Sequence, residues 1–502
     1  MKDNILFWIS KDLLHFGIAN SLQKNNGANL YAIIESFDKP KKFFQNQKFV
    51  NFKKTWYLDN LTTSKKHPDI EFLKSKENQY GINLWSIAYS ERYFSGFTKY
   101  HVFSHDEILS FFEQEFRFFE EILDEIKPNF VIMRIPDFHH IHLFHELCRK
   151  KGIKILIMSR TKFSLNHWYI SQNPTVIDIP EKHSKHLIKN ISDIHKIQTR
   201  LNSKSQIKKS SNQRIGFFNI FQKNSLRSIF ELIISNGKNN ERERFLDLGR
   251  TRSKIFFYTI SILLKFRFRE FFINKKLKKS IPANMQFAYF PLHMEPERTL
   301  LIEAPYFVNQ IDVIENIAKS LPVDYFLVVK EHPLMKKRMW RPTSFYKQIM
   351  DLPNVVLVHP DVTNEELFKK CSIVTTITGT GGLHAAFFNK PSIIFGDVVY
   401  SNLSSIFKVN SLEELPLLIK KALETKTNEN DLVSLVNNIL DNSFEFDKLE
   451  LTDNFHPFYG TMLSNVVITD EQMKKFLEKN KKIFDELTNE HIKKITLLKE
   501  KT

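Results

Sequence analysis

The chain of 502 residues carries 73 Lys plus Arg against 56 Asp plus Glu, a net charge of +17, with 42% hydrophobic residues. Such usage excludes a wholly disordered chain, a collagen and a disulfide miniprotein, and at ~150 residues per domain it fits roughly three domains or two large ones. Cys148 and Cys371 are the only cysteines, which excludes a disulfide framework and a four-cysteine zinc site and points to a reducing compartment.

The opening stretch, MKDNILFWIS, has a short apolar run followed by Lys11-Asp12, so it predicts a first strand and not a signal peptide. No stretch reaches the ~18 apolar residues of a spanning helix. The expected location is cytoplasmic, peripheral to the inner face of a membrane. Asn4–Ile9 and Asn29–Ile34 read as buried strands. Ser104 to Glu107 is a capping-box pattern that opens a long helix to about Ile126, stopped by Pro128. Phe130–Ile135 then reads as a strand, His140–Lys151 as a helix closed by Gly152, and Ile153–Met158 as another strand, which together make a βαβ unit.

The charge is concentrated in the middle. Between Glu181 and Ser280 there are 24 Lys plus Arg and 7 Asp plus Glu, so the rest of the chain, with 49 of each sign, is neutral. The block interleaves apolar runs at Ile215–Phe221, Ile229–Ile234 and Ile255–Leu264 with its cations. Basic residues beside aromatics suit an interfacial helix on anionic lipid; the plainer alternative is a buried helix with a solvated basic end. No zinc finger or RNP motif is present, so nucleic acid is not the expected partner.

From Gln286 onward, Phe287–Leu292, Tyr325–Val329, Val355–Val358, Ile373–Ile377 and Ser392–Phe395 predict strands that alternate with helices. Capping boxes are expected at Thr363/Glu366 and Ser411/Glu414. Alternation implies parallel sheets, whose ligands bind beyond the carboxyl ends of the strands. Four strand ends stand out there: Leu292-His293-Met294-Glu295-Pro296-Glu297-Arg298, Lys330-Glu331-His332-Pro333, His359-Pro360-Asp361, and Thr378-Gly379-Thr380-Gly381-Gly382-Leu383-His384. Hydroxyls and free amides before a helix expected at Leu383–Phe388 make an anion site, and glycine lets phosphate approach the backbone; the plainer reading is a tight turn that packs a helix on a sheet. The spacing is neither a Walker A loop nor a GxGxxG fingerprint. His332 can donate to, or protonate, a phosphate oxygen; the alternative is a capping or core histidine.

With these residues in view, the stretch YFPLHMEPERT … VVKEHP … LVHP … TTITGTGGLHAAFFNKPSIIFGDVVY resembles the bacterial capsular-polysaccharide synthesis proteins, a group that includes transferases of the sugar acid Kdo. The resemblance covers roughly residues 286–425. It implies an α/β, GT-B-like architecture: two Rossmann-like domains with parallel sheets facing a cleft, plus a basic helical insertion. On this reading residues 1–180 are the acceptor domain, 181–285 the insertion, 286–425 the nucleotide-sugar donor domain and 426–502 a helical extension. The resemblance assigns His332-Pro333 to the donor phosphate, helped by Thr378, Gly379 and Thr380. The expected donor-binding set is His293, Glu297, Arg298, Lys330, Glu331, His332, Pro333, Thr378, Gly379, Thr380, Gly381, Gly382 and His384. His384 stands where the family usually has a glutamate that grips ribose hydroxyls.

In the first half, Asp137 follows a strand end that faces the cleft in such an arrangement. It is the candidate general base or nucleophile, with a helix N-cap as the alternative. His332 is the second catalytic candidate. His139, His140, His142, His145 and Glu146 invite a metal reading, but no further ligand with recognised spacing follows, and no metal is expected. His15, Arg134, Arg160 and His167 are weaker cleft candidates. The expected activity is transfer of a sugar, Kdo or a related sugar acid, from a nucleotide-sugar (a CMP-sugar before a UDP-sugar) to a glycan or lipid-linked acceptor at an anionic membrane surface, with no tightly bound cofactor. Alternatives are a nucleotide-sugar epimerase of the same shape and a non-catalytic capsule assembly or export protein.

Overall fold

The computed structural model describes residues 2–10, 12–25, 27–36, 38–58, 61, 67–94, 100–163, 166–175, 188, 190, 192–194, 248–249, 251–282, 284–459 and 467–500. The expected apolar runs at 215–221 and 229–234 lie outside the described residues, as does most of the basic block before residue 251.

Two α/β cores are present. In the first, strands β1 (Asn4–Ile9), β2 (Asn29–Ile34), β3 (Thr55–Tyr57), β4 (Phe130–Met133) and β5 (Lys154–Arg160) are parallel, in the order β5-β4-β1-β2-β3. β6 (His167–Ser171) adds antiparallel to β5. In the second, β7 (Phe287–Pro291), β8 (Phe326–Lys330), β9 (Val355–Val358), β10 (Ile373–Thr376), β11 (Ser392–Ile394) and β12 (Ile406–Lys408) are all parallel, in the order β12-β11-β10-β7-β8-β9. Each core therefore winds outward from its first strand in both directions. The order reverses between β1 and β4 and between β7 and β10, and these are the crevices where doubly wound sheets bind ligands.

The long helix of the first half runs His105–Ile126, with Ser104 and Glu107 bonded reciprocally as a capping box. Phe112, Phe116 and Phe119 lie fully buried along one of its faces. β4 ends at Met133, two residues short of the strand expected to Ile135, because Arg134 turns to pair with Glu35 and Asp137 and Pro136 offers no ladder N–H. The next helix, His139–Lys150, is not capped by Asp137. Its first amide, of His139, donates to Glu91 Oε2 at 2.9 Å instead.

The chain then returns. Helix Glu429–Asp441 packs at the junction of the two cores. β13 (Phe444–Glu445) pairs antiparallel with β6, and Met473, Phe476, Phe484, Leu487 and Ile495 join Phe7 and Phe16 in the first core. The closing helix, Lys481–Glu500, lies against the helix Leu14–Asn25 at Gly17, where an added Cβ would sit 2.2 Å from the Phe484 ring. Between the cores, Phe163 and Tyr169 of the first pack with Leu383, Phe387 and Tyr400 of the second.

The helix Arg252–Lys276 is held on one side by Ile273 and Leu277, which enter the second core, and by Arg269, whose Nη1 donates to the Trp340 carbonyl at 2.9 Å. On its opposite side Phe257, Leu264, Phe268 and Phe271 are each more than 60% exposed. No described helix is long and apolar enough to cross a membrane.

Two tests follow from this packing. Glycine to alanine in a helix normally stabilises by about 1 kcal/mol, yet Gly17→Ala should destabilise by ~1–3 kcal/mol in denaturant unfolding, because the methyl overpacks against Phe484; the sign should revert when Phe484 is also Ala. The second concerns His139, which is fully buried with Nδ1 3.0 Å from Glu91 and Nε2 2.8 Å from Glu115. Burial opposes its charge, but Glu115 and Glu91 outweigh burial and hold it up at about 9. Its folded value is above the ordinary ~6.5, so its contribution is complete below ~6.5 and fades as pH rises through about 9. His139→Gln should accordingly cost more unfolding free energy at pH 6 than at pH 10; equal costs would mean the ring is held uncharged.

Candidate active site

The second crevice is built by three strand ends. β7 delivers His293, β8 delivers Glu331 and His332, and β10 delivers the turn Thr378–Gly382. Arg341 ties the first two together. Its Nε donates to Glu331 Oε2 at 2.8 Å, and its Nη groups donate to the Glu295 carboxylate and the His293 carbonyl. Tyr346 OH donates to Glu331 at 2.8 Å, and the His332 amide donates to its other oxygen at 2.5 Å. Glu331, expected among the donor ligands, is thus bonded within the protein and holds the loop. Gln310 completes the frame by accepting from the His293 amide at 2.7 Å.

His293 is 7% exposed. Its Nε2 accepts from the Thr378 amide at 3.2 Å, which puts the ring proton on Nδ1, and Nδ1 is buried without a well-formed hydrogen bond among the described residues, with the Gln310 side chain close enough to act on the ring. Burial, reinforced by the charges of Lys162 and Arg341, holds the ring down at about 3. His332 does cap: its Nδ1 accepts from the Leu334 amide at 3.2 Å, and Pro333 opens the short turn. The cap fixes the tautomer and leaves Nε2–H as the donor. The capping and functional readings of His332 are therefore compatible.

The glycine turn differs from expectation. Its helix is Gly381–Ala386, six residues, with no side-chain cap from Thr380. The Thr378 amide is taken by His293 and the Gly379 amide by Thr376 Oγ1 at 3.3 Å. The Tyr400 hydroxyl donates to the Gly379 carbonyl and lies against the amides of Gly382 and Leu383. The glycines are required by space: a Cβ at Gly379 would be 2.7 Å from Thr376 Oγ1, and one at Gly382 2.7 Å from the Tyr400 ring. The turn therefore packs closely and fixes His293, and two of its amides are already bonded within the protein. His384 stacks on Phe368 with ring centroids 6.1 Å apart. Lys330 Nζ donates to Asn364 at 2.5 Å, and burial lowers its pKa to about 8.

The first crevice lies between β1 and β4. Arg134 donates to Asp137 Oδ2 at 2.6 Å and reaches Glu35 at 3.4 Å, and Glu35 also accepts from Trp8 Nε1. Asp137 Oδ1 is buried and unpartnered among the described residues, and burial outweighs Arg134 to raise its pKa. His15 is buried with Nδ1 unpartnered among the described residues, and burial lowers it to about 4. His167 is buried on β6. The histidine row does not act as one group. His139 lies between two carboxylates, His140 stacks on Trp8, His142 faces Ser90 and His145 faces Glu146 and Gln172. Ligand atoms of Glu115, His139 and His140 do lie within 4.8 Å of one another, but both His139 nitrogens already sit against carboxylates.

Two contacts bring the crevices face to face. Arg298 Nε donates to the Pro136 carbonyl at 2.7 Å, while its Nη1 pairs with Glu303 at 2.6 Å. Lys162, from the β5–β6 turn, donates to the Thr378 carbonyl at 2.7 Å. Glu297 precedes Arg298, and burial raises its carboxyl pKa. Lys162, Arg341, Tyr400 and Glu91 escape sequence reading; no local motif marks them, and only the fold brings each to its partner.

No curated protein matches this chain. Among solved structures, UDP-GlcNAc 2-epimerase from Methanocaldococcus jannaschii is 13% identical over 86% of this chain and 96% of that one, with a TM-score of 0.24. KpsC of Thermosulfurimonas dismutans, a beta Kdo 2,7 transferase, is 11% identical over 74% and 92%, with a TM-score of 0.31. At such scores these likenesses carry no argument about activity. The segment that carries β7 to β11 and every strand-end group of the second crevice is the one that a family model recognises: residues 253–404 match that of the capsule polysaccharide biosynthesis proteins.

Proposed function

We propose that the protein is a nucleotide-sugar-dependent glycosyltransferase of surface-polysaccharide biosynthesis. The observation that carries this reading is the pairing of two switch-point crevices. One offers a buried carboxylate oxygen at Asp137, the other a buried imidazole N–H at His293, and Arg298 and Lys162 tie their walls together. The family match over 253–404 supports the capsule assignment. The donor sits on the second domain, with its leaving phosphate toward His332 Nε2–H and the cations around it. The acceptor, a glycan or lipid-linked sugar, enters the first crevice. Arg134 fixes the Asp137 carboxylate through Oδ2 and leaves Oδ1 to accept a proton or attack the anomeric carbon. Burial makes that carboxylate a stronger base. Fixed donors around the departing phosphate supply stabilisation without reorganisation. A CMP-linked sugar acid such as Kdo is the preferred donor, with a UDP-sugar next.

Incubation with CMP-, UDP-, GDP- and TDP-sugars should release nucleotide from one of them, faster when acceptor is present; interconversion of the sugar without release would favour an epimerase. Asp137→Asn should then lower turnover by ~100-fold or more and leave nucleotide affinity nearly intact. Because Glu91 caps the following helix, lost activity in this variant cannot be assigned to a lost cap. Near-normal turnover would remove Asp137 from the mechanism.

The same reading places the enzyme on a membrane surface. Phe257, Leu264, Phe268 and Phe271 form one exposed stripe on the helix Arg252–Lys276, and the exposed Lys254, Lys265, Arg267, Lys275 and Lys276 lie beside or within it. Each cation near an anionic surface contributes ~1 kcal/mol. Co-sedimentation with anionic vesicles should be strong, weaken as salt rises, and drop sharply in Phe268→Glu/Phe271→Glu. Equal binding to neutral vesicles, or none to either, would count against membrane docking.

A further inference from the structure

Lys162 is a cation whose position is difficult to explain by structure alone. It projects from the first core, between β5 and β6, into the mouth of the second. Its neighbours Thr161 and Phe163 are buried, and Phe163 packs on Phe387 across the junction. The ammonium is itself partly buried, yet its one hydrogen bond among the described residues is to the neutral Thr378 carbonyl. It forms no ion pair among them, whereas Arg298, which crosses the same junction, is matched at 2.6 Å by Glu303. Two of the three ammonium donors are therefore uncommitted among the described residues. The Thr378 residue whose carbonyl it binds also donates its amide to His293, whose buried Nδ1–H has no well-formed hydrogen bond among the described residues. A desolvated cation with no carboxylate in direct contact is costly, Glu303 and Glu297 acting on Lys162 only at longer range, and so is a buried N–H without a well-formed acceptor. One anionic oxygen group bonded to both would lower both costs.

We propose that Lys162 and His293 form an anion subsite that spans the two domains, taking a phosphate or carboxylate oxygen group of the donor. The subsite rests on the donor reading above and adds to it a residue from the opposite domain. The bound anion is a strut between the domains: it is gripped by the second through His293 and by the first through Lys162. Arg160, two residues earlier, closes β5 without an ion pair among the described residues and feels the charge of Glu297.

The test uses the full chain and three variants. Lys162→Met keeps the length of the side chain and removes the charge; Lys162→Arg keeps the charge; His293→Gln removes the buried imidazole N–H. Calorimetry would measure CMP, UDP, cytidine and uridine. Lys162→Met should weaken the nucleotide that binds wild type by tenfold or more, leave its nucleoside within twofold, and leave the apo melting temperature unchanged or raised. Lys162→Arg should retain most of the affinity, and His293→Gln should weaken the same nucleotide. A nucleotide loss in Lys162→Met matched by an equal nucleoside loss, or a lowered apo melting temperature, would show that Lys162 merely holds the domains together. Unchanged nucleotide affinity, together with an unchanged response to a free 2-keto sugar acid, would overturn the subsite. If the carboxylate of the sugar acid is the group held, only that second arm should respond to Lys162→Met. Failure of every nucleotide to bind wild type would overturn the donor reading alone. Inorganic pyrophosphate and the sugar acid would then decide the subsite by melting temperature: a shift that disappears in Lys162→Met upholds it, and no shift in wild type overturns it.

Discussion

The mouth of the second sheet depends on one buried guanidinium. Arg341 donates at once to Glu331, to Glu295 and to the His293 carbonyl, so a planar fork with fixed donor directions sets the spacing between the ends of β7 and β8. Without that constraint the two loops would be independent. With it, His293 is presented at an angle that lets Thr378 donate to its ring, and the third strand end is drawn into the same frame. The guanidinium is nearly fully enclosed and both carboxylates are bonded to it, so its charge is compensated where it lies. The network is protein-satisfied, which is why the few atoms left without partners beside it are informative.

The first sheet reaches a comparable arrangement by a different route. There, Arg134 bridges the end of β4 to Glu35 beyond β2. Arg134 holds Asp137 and Glu35, while the buried set of Glu91, His139 and Glu115 anchors the helix that follows. The result is an asymmetric pair of crevices. One is framed by a cation with carboxylates around it, and the other by a carboxylate that an arginine orients through one oxygen only. In the proposed transfer reaction such a difference would let one wall stabilise a leaving anion while the other activates a nucleophile.

Much of this was legible in the sequence because it is local. The capping box at Ser104 and Glu107, the strands Asn4–Ile9 and Val355–Val358, and the placement of His293, His332 and Thr378 directly after strands follow from patterns a few residues long. β3 and β12, three residues each, are too short to announce themselves, and β13 exists only because β6 offers an edge. The Thr-Gly turn shows the opposite failure. Its composition suggested open amides, but His293 and Thr376 take those of Thr378 and Gly379, and Tyr400, which comes from beyond β11, lies against those of Gly382 and Leu383. Lys162 and Arg341 sit in unremarkable basic surroundings, and their roles rest on partners 216 and up to 48 positions away.

The return of the chain to the first core also has a consequence for biosynthesis. Met473, Phe476 and Phe484 fill a core begun by Phe7 and Phe16, so that core cannot close until residues near 490 have left the ribosome. The second core draws its buried residues from Ile273 to Leu440, with Phe163 and Tyr169 added from the first half, and does not wait for the last helix. During synthesis the order of folding should thus invert the order of the sequence: the second domain is complete while the first still exposes the face of its sheet. That face is rich in aromatics, and the interval before the closing helix docks is when the nascent chain is most open to association with other chains and most dependent on chaperones.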